Sequence, residues 1–227
     1  TLDFTVSIGQ MVPTDTGYYH AYYSGGPYAQ TPICSWFAID TTQTSHPGTS
    51  LDLNTNQARV VNLPFTFKYY GVNYNRISIC SNGWIAMDST ASTDQSNTSI
   101  PNLDGPPRMI AGMWDYLHPS IVGEPGDIYY YYDAANHRFI VEYFRVEHYP
   151  SGSPETFEII LYDPAYHTTP TGDGDIIVQY LLAIQNPNSA TIGIENAAQT
   201  VGVEYLYNGV YDSLAEPIIN SFALRYT

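Results

Sequence analysis

From Val61 to Tyr69 the apolar positions fall on every second residue. Val61, Leu63, Phe65, Phe67 and Tyr69 point one way, and Asn62, Pro64, Thr66 and Lys68 the other. A period of two marks a half-buried β-strand. The same alternation opens the chain, where Leu2, Phe4, Val6 and Ile8 interleave with Thr1, Asp3, Thr5 and Ser7, and it returns at Phe157, Ile159 and Leu161. Tyr70-Gly71-Val72-Asn73 and Ser81-Asn82-Gly83 separate such runs, with Gly and Asn where a positive φ is needed. Further strands are predicted over 74–80, 84–87, 108–114, 127–132, 138–148, 175–182, 190–195, 201–207 and 221–226. Residues 88–107, rich in Ser, Thr, Asn and Pro, read as a long loop. Pro64 has no N–H for a ladder, so its strand is predicted to lie at an edge or to carry a bulge. Helical periodicity is nearly absent; only 133–136 and 212–216 suit a helical turn.

About a dozen short strands joined by turns predict an all-β chain, an antiparallel β-sandwich or jelly roll. No repeat and no Pro/Gly-rich linker divides it, so 1–227 reads as one domain. Residues 1–9 form a terminal strand with two possible fates: pairing within its own sheet, or insertion into a neighbour's.

Composition narrows the function classes. Apolar residues make up 44% of the 227, enough for a sizeable core, which excludes disorder. No apolar run approaches the roughly 18 residues of a membrane helix, so bilayer insertion is not expected. Seven Lys+Arg against 22 Asp+Glu give a net charge of −15, a surface that repels nucleic-acid phosphates and anionic lipid. Lys68 is the only lysine. That scarcity, with abundant Thr, Ser, Asn, Gly and Tyr, points to an extracellular or cell-surface address. An opening at Thr1 without a charged-then-apolar leader fits a processed, exported chain. Export would favour a disulfide between Cys34 and Cys80, the one intramolecular pairing available; two buried thiols are the alternative. Asn97-Thr98-Ser99 is a glycosylation sequon in a polar loop.

Catalytic signatures are missing. No G-x-S-x-G elbow is present, and His20, His46, His118, His137, His148 and His167 form no zinc motif. Glu142 and Glu158, on neighbouring predicted strands, are the kind of carboxylate pair a glycosidase uses, but an acidic β-protein offers such pairs by composition. No cofactor is required. The oxygen-rich turns Thr171-Gly172-Asp173-Gly174-Asp175 and Asn102-Leu103-Asp104-Gly105 offer calcium ligands in Asp173, Asp175 and Asp104, beside the plainer reading of exposed turns. The 22 tyrosines supply either exposed stacking area for sugars and subunits or ordinary strand packing.

Leu63-Pro64-Phe65-Thr66-Phe67-Lys68-Tyr69-Tyr70-Gly71 followed by Ile77-Ser78-Ile79-Cys80-Ser81-Asn82-Gly83-Trp84-Ile85 resembles the core of a bacterial secreted β-sandwich module. Ile110-Ala111-Gly112-Met113-Trp114-Asp115-Tyr116-Leu117 is similar to its "IAPFWDDL" segment, with Met113 and Tyr116 replacing the usual Phe and Asp. Asp127–Tyr130, Pro154–Phe157 and Ile192–Asn196 extend the likeness, which also reaches nidogen-like extracellular domains. The resemblance implies a sandwich fold and an extracellular address, and it carries no catalytic residue. The leading expectation is therefore a non-enzymatic extracellular structural or adhesive protein, a self-assembling surface filament subunit that uses Leu2, Phe4, Val6 and Ile8 as its assembly strand, its partners being other copies of itself. The alternative is a carbohydrate-binding module with glycans as partners. A secreted hydrolase or protease-accessory domain comes third.

Overall fold

The computed structural model describes residues 12–15, 17–42, 47–119, 126–150, 152 and 154–227. Two antiparallel sheets face each other. The first runs, in spatial order, β1 (Ala21–Tyr23), β15 (Phe222–Tyr226), β11 (Ile176–Tyr180), β10 (Glu155–Tyr162), β9 (Arg138–His148), β8 (Asp127–Asp133) and β2 (Thr49–Ser50), with β7 (Leu117–His118) pairing the end of β9. The second runs β14 (Val210–Tyr211), β13 (Gly202–Tyr207), β12 (Thr191–Glu195), β6 (Met109–Trp114), β5 (Trp84–Met87), β4 (Val72–Cys80) and β3 (Ala58–Tyr69). The chain is thus the β-sandwich that its alternation predicted. The expected assembly strand, Leu2, Phe4, Val6 and Ile8, lies outside the described residues.

Alternation decides which face each residue takes. Ile77, Ile79, Ile85 and Ile110 of the second sheet meet Val141, Phe157, Ile159, Val178 and Leu224 of the first in one buried core. Each such side chain contributes about 1.5–3 kcal/mol on leaving water. Many tyrosines belong to this core, and their hydroxyls serve it. Tyr143 on β9 reaches across to the carbonyls of Cys80 (2.8 Å) and Trp84 (2.9 Å), and Tyr180 on β11 donates to Gly112 O (2.6 Å). Each ring fills core volume while its O–H satisfies a carbonyl of the opposite sheet.

Both outer faces are covered as well. Loop 88–107 lies over the second sheet, where the indole N–H groups of Trp84 and Trp114 both donate to Asp94 O at 3.0 Å. The extended segment 32–41 lies over the first sheet, with Ile39 buried against Tyr129, Ile140 and Ile160.

Edges are blunted. β1, β2 and β14 have two or three residues each; among the described residues only β3 is a long edge. It carries Arg59, Lys68 and Pro64, and its pairing with β4 breaks register between Asn62 and Phe67. The predicted edge and the predicted irregularity at Pro64 are both present. The single lysine sits on this long edge strand, so the edge is better defended than a chain with one lysine suggests.

Two expectations are corrected. Residues 133–136 and 212–216 are tight turns rather than helical ones, closed by Asn136 N–H to Asp133 O (3.3 Å) and Ala215 N–H to Asp212 O (3.0 Å). The only helix among the described residues is an unforeseen 3-10 turn at Pro187–Ser189. Cys34 and Cys80 do not pair; both thiols are free. Cys34 lies in the cover of the first sheet, and Cys80 packs with Trp84 and Trp114 on the outer face of the second. Sheets packed face to face stand ~10 Å apart, beyond the roughly 7 Å Cα separation that a bridge tolerates. Burial pushes the Cys80 thiol up to about 12. Protein unfolded without reductant is expected to titrate two thiols, and reductant should leave its melting temperature unchanged. Finding no titratable thiol would restore the bridge.

Candidate functional site

The first candidate is the acidic pair. The β9–β10 register sets Glu142 directly opposite Glu158, and the β10–β11 register sets Gln179 opposite Glu158, so the three form a row across the outer face of the first sheet. Both glutamates are fully buried under segment 32–41. Its alternate N–H groups reach down to this row: Ser35 to Gln179 Oε1 (3.0 Å), Phe37 to the Glu158 carboxyl, and Ile39 to Glu142 Oε2 (2.7 Å). Gln179 Nε2 donates to Ser35 O (3.2 Å) and to Glu158 Oε2. Burial lifts the Glu142 carboxyl to about 8, and the N–H of Ile39 only partly offsets this. Glu158 is also held well above the usual range, first by burial and then by the charge of Glu142. A glycosidase needs its two carboxyls open to a sugar. Here the pair is adjacent, as the sequence suggested, but roofed.

A second constellation was not foreseen. His148, at the end of β9, accepts or donates at both nitrogens: Nδ1 lies 2.9 Å from Asp115 Oδ2, and Nε2 lies 2.9 Å from Glu155 Oε1. Ser189 Oγ donates to Asp115 Oδ2 (2.7 Å), Tyr116 N–H to Asp115 Oδ1 (2.7 Å) and Gln185 N–H to Glu155 Oε1 (2.9 Å). Burial alone would lower the imidazole's pKa, but the two carboxylates outweigh it and raise it to about 9. Serine, histidine and aspartate meet here, yet the connectivity is wrong for attack. The serine hydroxyl bonds the acid, and neither ring nitrogen is left to act as base. The cluster is a doubly paired cation that ties β6, β9 and β10 to the 3-10 turn. Tyr116, which takes the place of an acidic residue in the resembled motif, stacks instead on Tyr149 with ring centroids 4.2 Å apart.

A third place is open to solvent. A cleft of about 590 Å³ is lined by Tyr18, His20, Tyr22, Gln30, Thr171 and Arg225, among others. Its guanidinium is balanced by Asp175, whose two oxygens lie 2.9 and 3.1 Å from Arg225 Nε. The predicted calcium ligands do not converge. Asp175 is committed to Arg225, Asp173 Oδ1 accepts the Gly71 N–H (2.7 Å), and Asp104 lies in the loop over the other sheet. Among the described residues no group of three His, Cys, Asp or Glu side chains could hold a metal. Asn97 spends its amide on Thr191 Oγ1 (3.0 Å) and Asn208 Oδ1 (2.9 Å), so a glycan on that nitrogen would displace at least one bond. His137 stacks on Tyr166 (centroids 3.5 Å) and His167 packs against Tyr162, while His46 lies outside the described residues.

Spacing could not reveal the histidine cluster, because its members come from positions 115, 148, 155 and 189. The one available hint was Asp115 inside the motif that ends β6.

Against known proteins, the family described as NIDO related matches residues 27–221, most of the chain, with all of the second sheet and all of the first except β1 and β15. This is a domain of extracellular type. No curated protein and no solved structure matches the chain. None of the described helices is long and apolar enough to cross a membrane.

Proposed function

The chain belongs to the NIDO-related family, and from that premise we propose that it is a non-enzymatic structural or adhesive protein of the cell surface that works by association with copies of itself. One observation carries this reading. Both constellations with the residue types of acid–base chemistry, Glu142/Glu158 and Asp115/His148/Glu155, are buried and occupied by internal partners. What remains outside is surface. Because the sheet edges are short or defended, direct edge-to-edge stacking is a poor route to a polymer. Exchange of the alternating segment 1–9 between copies avoids that obstacle, since the donor brings its own apolar side chains, and a head-to-tail exchange that does not close builds a fibre. Screens against peptide, ester and glycoside substrates are expected to show no turnover. Turnover abolished by Glu142→Gln or Glu158→Gln would overturn the reading.

The open cleft favours a second reading, carbohydrate binding. Tyrosine rings, hydroxyls and amides around a charge-balanced arginine suit a neutral polyhydroxylated ligand. If glycans bind there, Tyr18→Ala should weaken binding by about threefold to tenfold, the worth of one ring contact. An unchanged affinity would move the site elsewhere.

A further inference from the structure

We propose that segment 32–41 is a proton-gated strap, latched onto the first sheet by a proton retained on the buried Glu142–Glu158 pair, and that it lifts when alkaline solution removes that proton. The proposal concerns a moving part of the fold and stands apart from the assembly reading.

The latch is visible in the unpaired atoms. Glu142 Oε1 and Glu158 Oε1 are both buried without a hydrogen-bond partner, on two side chains that sit directly opposite each other across β9 and β10. Two ionised carboxylates in that position would repel each other with no water to screen them. Arg138 draws the Glu158 carboxyl down only in part, against burial and the charge of Glu142. Arg138, which shares this face, gives its Nε to Asp133 (2.9 Å) and stands 5.3 Å from the centre of the Phe37 ring. The other titratable groups there are Cys34 and Asp40 of the strap, Tyr129 and Tyr131 of β8, and Tyr162 of β10. None of these is a base suited to neutralise the pair, and Asp40 adds to the negative potential on Glu142. A retained proton removes one of the two charges and can be shared with the Asp40 carboxyl, whose side chain hydrogen-bonds Glu142.

The strap is suited to move because it is not a strand of the sheet. Its N–H groups at 35, 37 and 39 bond to the side chains of Gln179, Glu158 and Glu142, not to a neighbouring backbone ladder. Two of these three N–H bonds therefore go to the pair that titrates, while Ser35 O also accepts from Gln179 Nε2. The direction follows from the raised carboxyls. The folded chain keeps protons that the unfolded chain has released, so closure is complete on the acid side and is lost as pH rises through about 8, where Glu142 ionises.

Trp36 rides on the strap, whereas Trp84 and Trp114 are fully buried. Acrylamide, a neutral quencher, therefore reports strap opening. Between about pH 7 and about pH 9.5 the quenching constant should rise about twofold while the far-UV spectrum stays native. Glu142→Gln, which keeps an acceptor for Ile39 N–H without the charge, should hold the constant flat. Glu158→Gln serves the same purpose if the first variant does not fold. A flat profile in the unmodified protein, or an unchanged rise in a folded Gln variant, would overturn the proposal. So would global unfolding at the same pH. Millimolar calcium that restored closure at alkaline pH would also overturn it, by making a cation rather than a proton the latch.

Discussion

Gly83→Ala is expected to destabilise the domain by more than about 4 kcal/mol, enough to leave much of it unfolded at ordinary temperature. Gly83 sits at φ +82° in the turn between β4 and β5, where a side chain is already strained. The larger cost is collision. A Cβ at this position would lie 1.7 Å from the carbonyl oxygen of Met113. That oxygen belongs to backbone, and Met113 N–H itself donates to Gly83 O at 3.0 Å, so neither partner can retreat without breaking the link between β5 and β6. Gly172 is the internal control. Its φ of +74° is similar, but a Cβ there would meet only the Lys68 ammonium at 3.6 Å, an ordinary contact. Gly172→Ala should therefore cost about 1 kcal/mol, the strain alone. Denaturant melts of the two variants decide it, and equal costs would show that strain rather than close approach makes the Ser81-Asn82-Gly83-Trp84 turn need its glycine.

His148→Ala should cost about 3–5 kcal/mol, because it removes the cation and leaves Asp115 and Glu155 buried without it. The pH dependence carries a sharper signature. With its pKa raised from 6.5 to about 9, the folded protein holds a proton that the unfolded chain releases. The cluster's stabilisation is therefore fully present below about pH 6.5 and is lost as pH rises through about 9. Its size is on the order of 2–3 kcal/mol after allowance for residual solvent. Unfolding free energies measured from about pH 6 to about pH 10 should fall more steeply in the unmodified protein than in His148→Ala. Parallel profiles would mean that the histidine is neutral in the fold.

Much of the architecture was legible from alternation, because burial on one face leaves its period in the residues. The strand predicted at 84–87 spans Trp84–Met87, and that at 138–148 spans Arg138–His148. The short strands β1, β2, β7 and β14 escaped, since two or three residues cannot display a period. Loop 88–107 reads as irregular and is so; its task of sheltering Trp84 and Trp114 depends on where it lands, which local composition does not encode. Glu142 and Glu158 illustrate the same divide. Their adjacency follows from a hairpin register that alternation anticipates. Their burial depends on a segment a hundred residues earlier in the chain, folded over them from outside the hairpin. Composition leaves tyrosine open to surface stacking or strand packing, and Tyr143 and Tyr180 settle as core rings whose hydroxyls cross the sandwich.

Sedimentation velocity on the full chain and on a chain lacking residues 1–9, followed by electron microscopy of the fast fraction, tests the assembly reading most directly. The full chain should sediment as growing oligomers as concentration rises over about two decades, and the micrographs should show fibres. The shortened chain should stay folded and sediment as a single small species. A full chain that remains monomeric at the highest concentration, or a shortened chain that polymerises equally well, would contradict it.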